Sequence, residues 1–400
     1  MYDIFPFRSI PICFFLSFRH FRQILSDNIG YFFIVQKIVF PFTDDIIEYI
    51  VRAYTKTKTN GSRIMNIYDI ARLSGVSIAT VSRVVNDSPK VSDKTKEKVR
   101  KVMEENNYTP NVFARGLGLG SMQTLGIICP DVSDPYMAKA VSYLEKNLQG
   151  YGYDCILYCS GYEEEDKQQA VERILKKQID ALVLVGSDYA CAPHGSGEGN
   201  HDSYIHNVAK KLPVFLINGF VEGDNIYCML TDDFQAVYDV TEELLFSGKK
   251  EILFLTNSSS YSAMHKQNGY MAALKAYGME PKKDLILHSE NSIYATRDML
   301  LRQRSLHFDS VVAAEDRLAI GVLKYACARG LRIPGEINVI GYNNSELSIS
   351  SEPELTTIDN RVEVLCKTAI DSIMALLSGN KIRKKQLIKC HLIKRSTTDF

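Results

Sequence analysis

The feature that most constrains this sequence is an alternation of short apolar runs with longer helical stretches, which begins at Thr124. The apolar runs are short enough for buried strands, and the stretches between them are long enough for helices. A repeated strand–helix–strand series of this kind predicts parallel sheets with helices on both faces, and therefore an α/β fold. The expected strands are Leu125–Cys129, Cys155–Cys159, Ala181–Val185, Val214–Ile217, Ile252–Leu255, Val311–Ala313 and Val339–Gly341, and the expected helices include Ala138–Gln149, Gln168–Lys177, Val237–Leu245 and Ala319–Arg329.

The expected α/β part is about 270 residues long, which is large for a single sheet, so we expect it to form two lobes. Ligands of parallel sheets bind beyond the carboxyl ends of the strands. The polar or aromatic residues that stand there are Asp134, Tyr136, Asn218, Asp316 and Asn343. We expect them to line a small-molecule site, with the Tyr136 ring stacked on a ring of the ligand. Each also has a local alternative, such as Asp316 as the N-cap of its helix or Asn343 as a turn residue.

Ahead of the α/β part lies a short segment with the pattern of three helices. Ala71, Gly75 and Val81 have the spacing of a helix-turn-helix. The small Ala lets two helices approach, the Gly takes the left-handed turn, and the Val fills the angle between the helices. Ser77 is a good N-cap for the second helix. The expected helices are Ile67–Leu73, Ile78–Asn86 and Asp93–Glu105, the third capped by Val91-Ser92 and packed through Val99, Val102 and Met103.

The second of these helices has the character of a helix that reads DNA from the major groove. Its exposed residues are expected to be Ile78, Ala79, Ser82 and Arg83. Arg83 can fork to a guanine, while Ile78 and Ala79 can touch a thymine methyl group. Residues 66–117 hold nine Lys and Arg and six Asp and Glu, a net charge of +3 in a chain of formal net charge zero, and this basic excess suits phosphate contact. The alternative is a generic or protein-binding three-helix module.

Several longer runs of residues resemble the sequence pattern of a known protein family. In the helical segment they are Ile67-Tyr68-Asp69-Ile70-Ala71, Gly75-Val76-Ser77, Ala79 to Asn86, Val91-Ser92 with Thr95, and Asn107 to Asn111. In the α/β part they are Thr124 to Ile128, Asp134-Pro135-Tyr136, Gly341-Tyr342, Leu355 to Ile358 and Arg395 to Thr398. Through these runs the sequence resembles the LacI/GalR family of bacterial repressors, from about residue 66 to its end. A match of this length favours DNA binding over other uses of three helices.

The resemblance implies both a fold and a function. A small all-α helix-turn-helix domain would be joined by a hinge to an α/β domain of two periplasmic-binding-protein-like lobes, with the chain crossing between the lobes several times. The protein would be a cytoplasmic homodimer on a pseudo-palindromic operator in double-stranded DNA. A small-molecule effector, either a sugar or a nucleoside-like compound, would control DNA binding. No cofactor, metal, membrane contact or catalysis is expected.

The resemblance also extends the set of expected contacts. For DNA these additional residues are Tyr68, Ser77, Thr80 and Asn86, together with Asn111, Arg115 and Leu117 of the hinge. Leu117 stands where members of the family insert a residue into the minor groove as a wedge. Lys266 stands where the family usually has an effector-binding Arg, and its local alternative is a solvated surface charge.

Three departures from the family's pattern stand out. The hinge run from Ala114 to Gly120 holds glycines where better helix formers are usual. Lys266 replaces the usual Arg, and Asn343-Asn344 replace the acidic pair that usually follows Gly341-Tyr342. The last two departures leave the predicted fold unchanged and leave the class of effector open.

Residues 1–64 differ in character from the rest of the chain. Their apolar runs, rich in Phe and Ile, are interrupted by Arg and Lys and are too short to cross a membrane. A polar, linker-like stretch precedes Met65. We therefore expect Met65 to be the physiological start and residues 1–64 to be an upstream extension or linker; the alternative is a real N-terminal arm or membrane anchor. The expected domains are then 65–110 for DNA binding, 111–122 for the hinge, and 123–400 for effector binding and dimerisation.

Two other classes of function remain as alternatives. A solute-binding protein of a transport system would share the two-lobed part, but it would need export and would lack residues 66–117. An enzyme acting on a nucleotide would need a phosphate-binding turn, and neither Pro130 to Ser133 nor the glycine-rich run 194–200 has that pattern. The nine cysteines are odd in number and scattered, which favours reduced thiols. Cys155 and Cys159 lack the further partners of a zinc site.

Overall fold

The computed structural model describes residues 65–108, 121–189 and 202–400. These residues form two compact units, one of residues 65–108 and one of the described residues from 121 onward. Several predictions fall outside the described residues: the extension 1–64, the glycine-rich run 194–200, and the hinge residues Asn111, Arg115 and Leu117. Among the described residues, no helix is both long enough and apolar enough to span a membrane.

The first unit consists of three helices, each within one residue of the predicted bounds. They are α1 (Ile67–Ser74), α2 (Ile78–Val85) and α3 (Asp93–Glu105). Asn66 caps α1 by accepting hydrogen bonds from two backbone N–H groups of the first turn, and the Asp69 carboxylate accepts one in return from the Asn66 backbone. Gly75 ends α1 in the left-handed region, at φ 63°. Ser77 caps α2 through a hydrogen bond from the Thr80 backbone N–H.

The core of this unit confirms the predicted roles of the small and branched residues. Ala71 and Val81 are buried and pack with Val99 among the three helices. Burial of a side chain such as Val81 contributes roughly 1.5–3 kcal/mol, so this small unit depends on few residues. Ser92 precedes α3 as predicted, but its hydroxyl meets the Thr95 hydroxyl at 2.9 Å and caps no backbone N–H.

The second unit alternates strands and helices along the chain. Its described strands are β1 (Thr124–Cys129), β2 (Asp154–Cys159), β3 (Ala181–Val185), β4 (Val214–Ile217), β5 (Ile226–Thr231), β6 (Ile252–Thr256), β7 (Ile286–His288), β8 (Ser310–Ala313), β9 (Asn338–Tyr342), β10 (Thr356–Asp359), β11 (Lys385–Ile388) and β12 (His391–Ile393). Its described helices are α4 (Pro135–Gly150), α5 (Glu164–Leu175), α6 (Ser203–Ala209), α7 (Asp233–Phe246), α8 (Tyr261–Ala276), α9 (Ile293–Arg302), α10 (Asp316–Arg329), α11 (Glu346–Ser350) and α12 (Val362–Leu377).

Lobe 1 is built on one sheet in the spatial order β11–β5–β4–β3–β1–β2, and every neighbouring pair is parallel. Helices α4 and α12 pack on one face of the sheet, and α5 and α6 pack on the other. The central strands β3 and β4 are therefore buried along their whole length. This double burial explains why their sequences are continuous apolar runs and do not alternate.

Lobe 2 is built on a second sheet in the order β12–β10–β9–β8–β6–β7, parallel except that β12 runs antiparallel to β10. Helices α9 and α10 pack on one face, and α7 and α8 pack on the other. Helices α7 and α8 approach closely at Gly269, where an added Cβ would lie 2.2 Å from the backbone carbonyl oxygen of Phe234.

The chain crosses between the lobes three times within the described residues. The crossings lie between β5 and α7, between β10 and α12, and between β11 and β12. This confirms the predicted two-lobed α/β architecture with parallel-dominated sheets and several crossings. Short crossings of this kind suit a hinge motion between two lobes.

The apolar pattern of the sequence does not predict five of the described strands, namely β5, β7, β10, β11 and β12. Strand β10 shows why, because its Thr356 and Thr357 are fully buried and interrupt the apolar pattern. Their hydroxyls have partners inside lobe 2: Thr357 donates to Asp316 at 2.5 Å, and Thr356 meets the Thr398 hydroxyl at 2.9 Å. These partners are distant in sequence, so a local pattern does not reveal them.

Candidate effector cavity and DNA-binding face

A cavity of about 420 Å³ lies between the two sheets of the second unit, at the carboxyl ends of their strands. We call it the interlobe cavity. Its volume falls in the range of about 300–1,000 Å³ that is typical of small-molecule sites. Its lining includes Asp131, Asp134, Tyr136, Tyr162, Asp188 and Asn218 from lobe 1, Asn257, Ser260, Ser262, Lys266, Glu315, Arg317 and Asn343 from lobe 2, and Asn360 at a crossing.

The interlobe cavity brings together five of the six residues that the sequence nominates for effector binding. These five are Asp134, Tyr136, Asn218, Lys266 and Asn343. The sixth, Asp316, lines an adjoining cavity of about 540 Å³, which shares Asp134, Tyr136 and Asn343 with the first. Contact of these side chains with an effector stays a prediction.

Asp134 and Tyr136 enter the cavity from the start of α4. Asp134 is the N-cap, and its carboxylate accepts hydrogen bonds from the backbone N–H groups of Tyr136 at 3.0 Å and Met137 at 3.1 Å. The Tyr136 hydroxyl is buried and has no hydrogen-bond partner among the described residues. Burial raises the pKa of this hydroxyl well above its usual range. A buried hydroxyl without a hydrogen-bond partner destabilises the fold by about 1–3 kcal/mol. A ligand that bonds to the Tyr136 hydroxyl would remove this cost.

Asn218 follows β4 with a left-handed φ of 61°. Its carboxamide oxygen accepts hydrogen bonds from the backbone N–H of Thr231 at 3.2 Å and from the Thr231 hydroxyl at 2.7 Å. Thr231 ends β5, where the chain leaves lobe 1. The Asn218 oxygen is therefore occupied by the neighbouring strand, so a contact with an effector would come from its NH2 group.

Lys266 lies on α8 and is buried, with 6% of its surface exposed. Its Nζ donates a hydrogen bond to the Ala314 carbonyl at 3.0 Å and lies 3.7 Å from the centre of the Tyr342 ring. The positive charge also opposes the upward shift of the Glu315 pKa, so the two groups are close. The alternative interpretation of Lys266 as a solvated surface charge is therefore wrong.

Asp316 is the first residue of α10, and Glu315 occupies the N-cap position. The alternative interpretation of Asp316 as the N-cap is therefore wrong. Both of its carboxylate oxygens are engaged inside lobe 2, because one accepts from the Thr357 hydroxyl at 2.5 Å and the other from the backbone N–H and hydroxyl of Ser345, both at 2.7 Å. Burial raises the pKa of the Asp316 carboxyl. An effector would have to compete with these bonds.

Glu315 is the carboxylate of this turn that faces the interlobe cavity, and it is not among the residues predicted from the sequence. Asn257, which also lines the cavity, is close enough to lower the pKa of the Glu315 carboxyl. Burial raises the pKa of the Glu315 carboxyl, and the charge of Lys266 partly opposes this shift. Its position directly before the nominated Asp316 is the signal that could have found it.

Asn343 and Asn360 form a pair at the crossing between β10 and α12. Asn343 has a left-handed φ of 99°, and its carboxamide oxygen accepts a hydrogen bond from Asn360 Nδ2 at 2.8 Å. Asn360 is only 2% exposed, and its Oδ1 has no hydrogen-bond partner within the described part of the chain. Asn360 is not among the predicted site residues because β10, the strand that it follows, has no continuous apolar run.

The first unit presents an exposed face along α2. Ile78, Ala79 and Arg83 are exposed, and Ser82 is half-buried. Tyr68 on α1 is also exposed, at 67%. An exposed arginine beside small apolar side chains has the composition that reads base edges in the major groove.

The two ends of α2 hold the other predicted DNA contacts. At its start, the hydroxyls of Ser77 and Thr80 lie 2.9 Å apart. At its end, Asn86 is the C-cap, and its buried Oδ1 has no hydrogen-bond partner among residues 65–108. The next residue, Asp87, accepts hydrogen bonds from Lys96 and Arg100 of α3 at 2.9 and 2.8 Å. Their contacts, led by the hydrogen bond from Lys96, lower the pKa of Asp87.

The described residues include free cysteines but no group of side chains that could bind a metal ion. Within them, no three or more His, Cys, Asp and Glu side chains group in a way that could hold a metal ion. Cys155 is half-buried and Cys159 is exposed, and both are free thiols on β2. Cys159 lies opposite Cys129 in the register of β2 with β1.

Sequence models of two related families match most of this chain. The model described as "Bacterial regulatory proteins, lacI family" matches residues 66–111. The model described as "Periplasmic binding proteins and sugar binding domain of LacI family" matches residues 122–396. The first corresponds to the three-helix unit and the second to the two-lobed unit.

Several bacterial proteins are similar to this chain in sequence. An HTH-type transcriptional regulator of Lachnoclostridium phytofermentans is 48% identical over 338 residues, which cover 84% of this chain and 100% of the relative. The HTH-type transcriptional regulator GalR of Escherichia coli K12 is 31% identical, over 79% of this chain and 90% of the relative. Catabolite control protein A of Priestia megaterium is 29% identical, over 74% and 87% of the two chains.

Solved structures show the same fold. A lac repressor dimer bound to operator and the anti-inducer ONPF matches with a TM-score of 0.75 at 24% identity, over 84% of this chain and 99% of the other. A complex of the transcriptional regulator CelR with cellobiose matches with a TM-score of 0.59 at 21% identity, over 83% and 99%. The family models and the sequence relatives place the chain in the lacI family of bacterial regulatory proteins.

Proposed function

We propose that this chain is a sequence-specific transcription repressor whose binding to operator DNA is controlled by a small molecule, a sugar or a related metabolite, in the interlobe cavity. The observation that carries the proposal is the combination, in one chain, of an exposed α2 face with a polar cavity between two lobes. Membership of the lacI family supports it, as do relatives that are named HTH-type transcriptional regulators.

The proposed DNA contacts centre on α2. Arg83 donates a bidentate pair of hydrogen bonds to a guanine, and the apolar surface of Ile78 and Ala79 contacts a thymine methyl group. The other contacts of the described unit are Tyr68, Ser77, Thr80, Ser82 and Asn86. The hinge residues Asn111, Arg115 and Leu117 lie outside the described residues, so their proposed role rests on the family pattern alone.

The proposed assembly is a homodimer on a pseudo-palindromic operator. One recognition helix covers only a few base pairs, so two are needed for useful specificity. A solved structural relative is a lac repressor dimer bound to operator, which supports the proposal by analogy of fold. We retain the division into a DNA-binding domain (65–110), a hinge (111–122) and an effector and dimerisation domain (123–400).

The proposed control works through the closure of the two lobes. The interlobe cavity takes its walls from both lobes, and short crossings join them. A ligand that contacts both walls binds the closed arrangement more tightly than the open one, and only this difference in affinity can shift the balance. The coupling between two sites of a protein is typically about 1–3 kcal/mol.

Two alternatives fit the chain less well. A solute-binding protein of a transport system would use the two lobes, but a helix-turn-helix unit with an exposed α2 face has no role in it. An enzyme would be an exception in a family of transcription regulators.

The test is selection of DNA from a library of random duplexes with the purified full chain. We expect an enriched pseudo-palindrome, and Arg83→Ala should lose about 1–3 kcal/mol of affinity for it at fixed salt. Lys101→Ala is the matched control, because it removes the same charge from an exposed position of α3. The proposal fails if no sequence is enriched, and the groove assignment fails if both variants bind alike.

A further inference from the structure

The interlobe cavity carries more carboxylates than cations. Among the described residues that line it, the acidic ones are Asp131, Asp134, Asp188 and Glu315, and the cationic ones are Lys266 and Arg317. Three of the carboxylates come from lobe 1 and one comes from lobe 2. The acidic excess therefore lies on lobe 1, and Glu315 is the carboxylate that faces it from lobe 2.

The protein's own cations offset only part of this acidic excess, and Arg317 is among the causes that lower the pKa of Asp131 and of Glu315. The ammonium of Lys266 is already used inside lobe 2, by the Ala314 carbonyl and the face of the Tyr342 ring. The Lys167 ammonium, beside Asp188, donates to the backbone carbonyl of Asp188 at 2.9 Å. Burial raises the pKa of the carboxyls of both Asp188 and Glu315, so ionising either group in this site costs free energy.

Tyr162 is an aromatic side chain, 53% exposed, on which the charges of the four carboxylates act. It lines the cavity, and burial is the main cause that raises the pKa of its hydroxyl to about 12. The remaining causes are the negative charges of Asp188, Asp134, Asp131 and Glu315. All four carboxylates are therefore within electrostatic reach of one aromatic side chain, and carboxylates around an aromatic ring are the surroundings that a cation prefers.

A second observation, independent of charge, is that the lining offers an unused acceptor. Asn360 is 2% exposed, and its Oδ1 has no hydrogen-bond partner within the described residues. An amide oxygen accepts hydrogen bonds and cannot donate them. The ligand group that bonds to Asn360 Oδ1 must therefore be a hydrogen-bond donor, such as a hydroxyl or an ammonium.

We propose that the effector is a polyhydroxyl compound that carries a protonated amine, such as an amino sugar, and that the cavity rejects phosphorylated and other anionic sugars. This inference rests on the proposed function, because it names the class of the effector. The amine lies between Glu315 of lobe 2 and the carboxylates of lobe 1, so it draws the two lobes together. A hydroxyl group donates to Asn360.

The test measures binding to the full chain by titration calorimetry. The probes are neutral, 2-amino-2-deoxy and 6-phosphorylated forms of glucose and galactose, with the neutral and aminated forms of their disaccharides. We expect the strongest ligand to be aminated and to bind about ten-fold or more tightly than its neutral counterpart. A strongest ligand that is neutral or phosphorylated, or no binding by any aminated sugar, overturns the proposal.

Two substitutions test whether Glu315 and Asp188 cause the preference for aminated over neutral sugars. Glu315→Gln with Asp188→Asn should reduce the preference for the aminated sugar over its neutral counterpart to near unity. Glu172→Gln, an exposed position on α5 outside the cavity, should leave the preference unchanged. An unchanged preference in the double variant overturns the assignment. DNA selection separates the two proposals: a chain that selects an operator but prefers neutral sugars refutes only this inference, and a chain that selects no DNA refutes the proposed function.

Discussion

The ammonium of Lys266 lies 3.7 Å above the centre of the Tyr342 ring, and the Tyr342 hydroxyl donates in turn to the Asp233 carboxylate. Asp233 begins α7, directly after the crossing from lobe 1, and also accepts from Ser262 at 2.5 Å. Ser262 and Lys266 both line the interlobe cavity. One set of contacts thus joins the wall of the cavity to a crossing between the lobes.

The substitution Lys266→Met tests how much the contacts of Lys266 with Ala314 and Tyr342 stabilise the protein. Met has a similar length but leaves the Ala314 carbonyl without its donor and the Tyr342 ring without its cation. A buried cation on an aromatic face contributes about 2 kcal/mol, so we expect the free energy of unfolding to fall by roughly 1–3 kcal/mol. Urea unfolding measures it. Lys275→Met, at an exposed position of the same helix, is the control, and equal losses in both variants would contradict the role of Lys266.

Gly269→Ala should disturb the placement of α8, the helix that carries Lys266. The added Cβ would lie 2.2 Å from the Phe234 carbonyl oxygen, a backbone atom that cannot move without shifting α7. Overpacking of this kind typically costs about 1–3 kcal/mol or more. Thermal unfolding should show a clear drop in Tm. Gly150→Ala, at the end of α4 with no atom within 4 Å of the added Cβ, should leave Tm unchanged or slightly higher; a drop of similar size there would refute the steric argument.

Much of the fold and part of the site follow from local sequence patterns. The three helices of the first unit are predicted because capping residues and Gly75 mark their ends. The strands that are apolar throughout, such as β3 and β4, are predicted because burial on both faces gives continuous apolar runs. Residues after those strands line the interlobe cavity, since parallel strands end at one edge.

The rest depends on contacts that a local pattern does not contain. Whether Glu315 or Asp316 faces the cavity depends on where α10 begins, and a difference of one residue exchanges the two carboxylates. Burial of Lys266 depends on Tyr342, which lies 76 positions later in the sequence. Asn360 follows a strand whose buried threonines are satisfied only by residues of other segments.

Asp316→Asn should separate a positioning role from direct effector contact. The carboxylate accepts three hydrogen bonds, from Thr357 and Ser345, and an amide would turn an NH2 group toward one of these donors. We expect a loss of about 1–3 kcal/mol in the free energy of unfolding. Urea unfolding beside Asp284→Asn, an exposed Asp of the same lobe, gives the comparison. If Asp316→Asn unfolds like the parent but no longer binds the effector, its carboxylate contacts the ligand directly.

Glu315→Gln should stabilise the protein at neutral pH. Burial raises the pKa of this carboxyl above its usual value of 4.5. The unfolded chain therefore releases the proton at a lower pH than the folded chain does. Stability that Glu315 contributes is present in acid and is lost as the pH rises through its folded pKa. The groups that face it and set this shift are Lys266, Asp134, Asn257 and Arg317.

Gln does not ionise, so the variant does not lose this stability as the pH rises. The difference in the free energy of unfolding, variant minus parent, should be near zero below about pH 4 and should grow as the pH rises. Glu336→Gln is a control of opposite sign, because hydrogen bonds led by the Arg332 backbone N–H lower the pKa of Glu336, and its contribution is lost as the pH falls. Urea midpoints between about pH 3 and pH 8 measure both. A Glu315→Gln variant that is less stable than the parent at neutral pH would show that the Glu315 carboxylate is stabilised in the folded cavity rather than strained there.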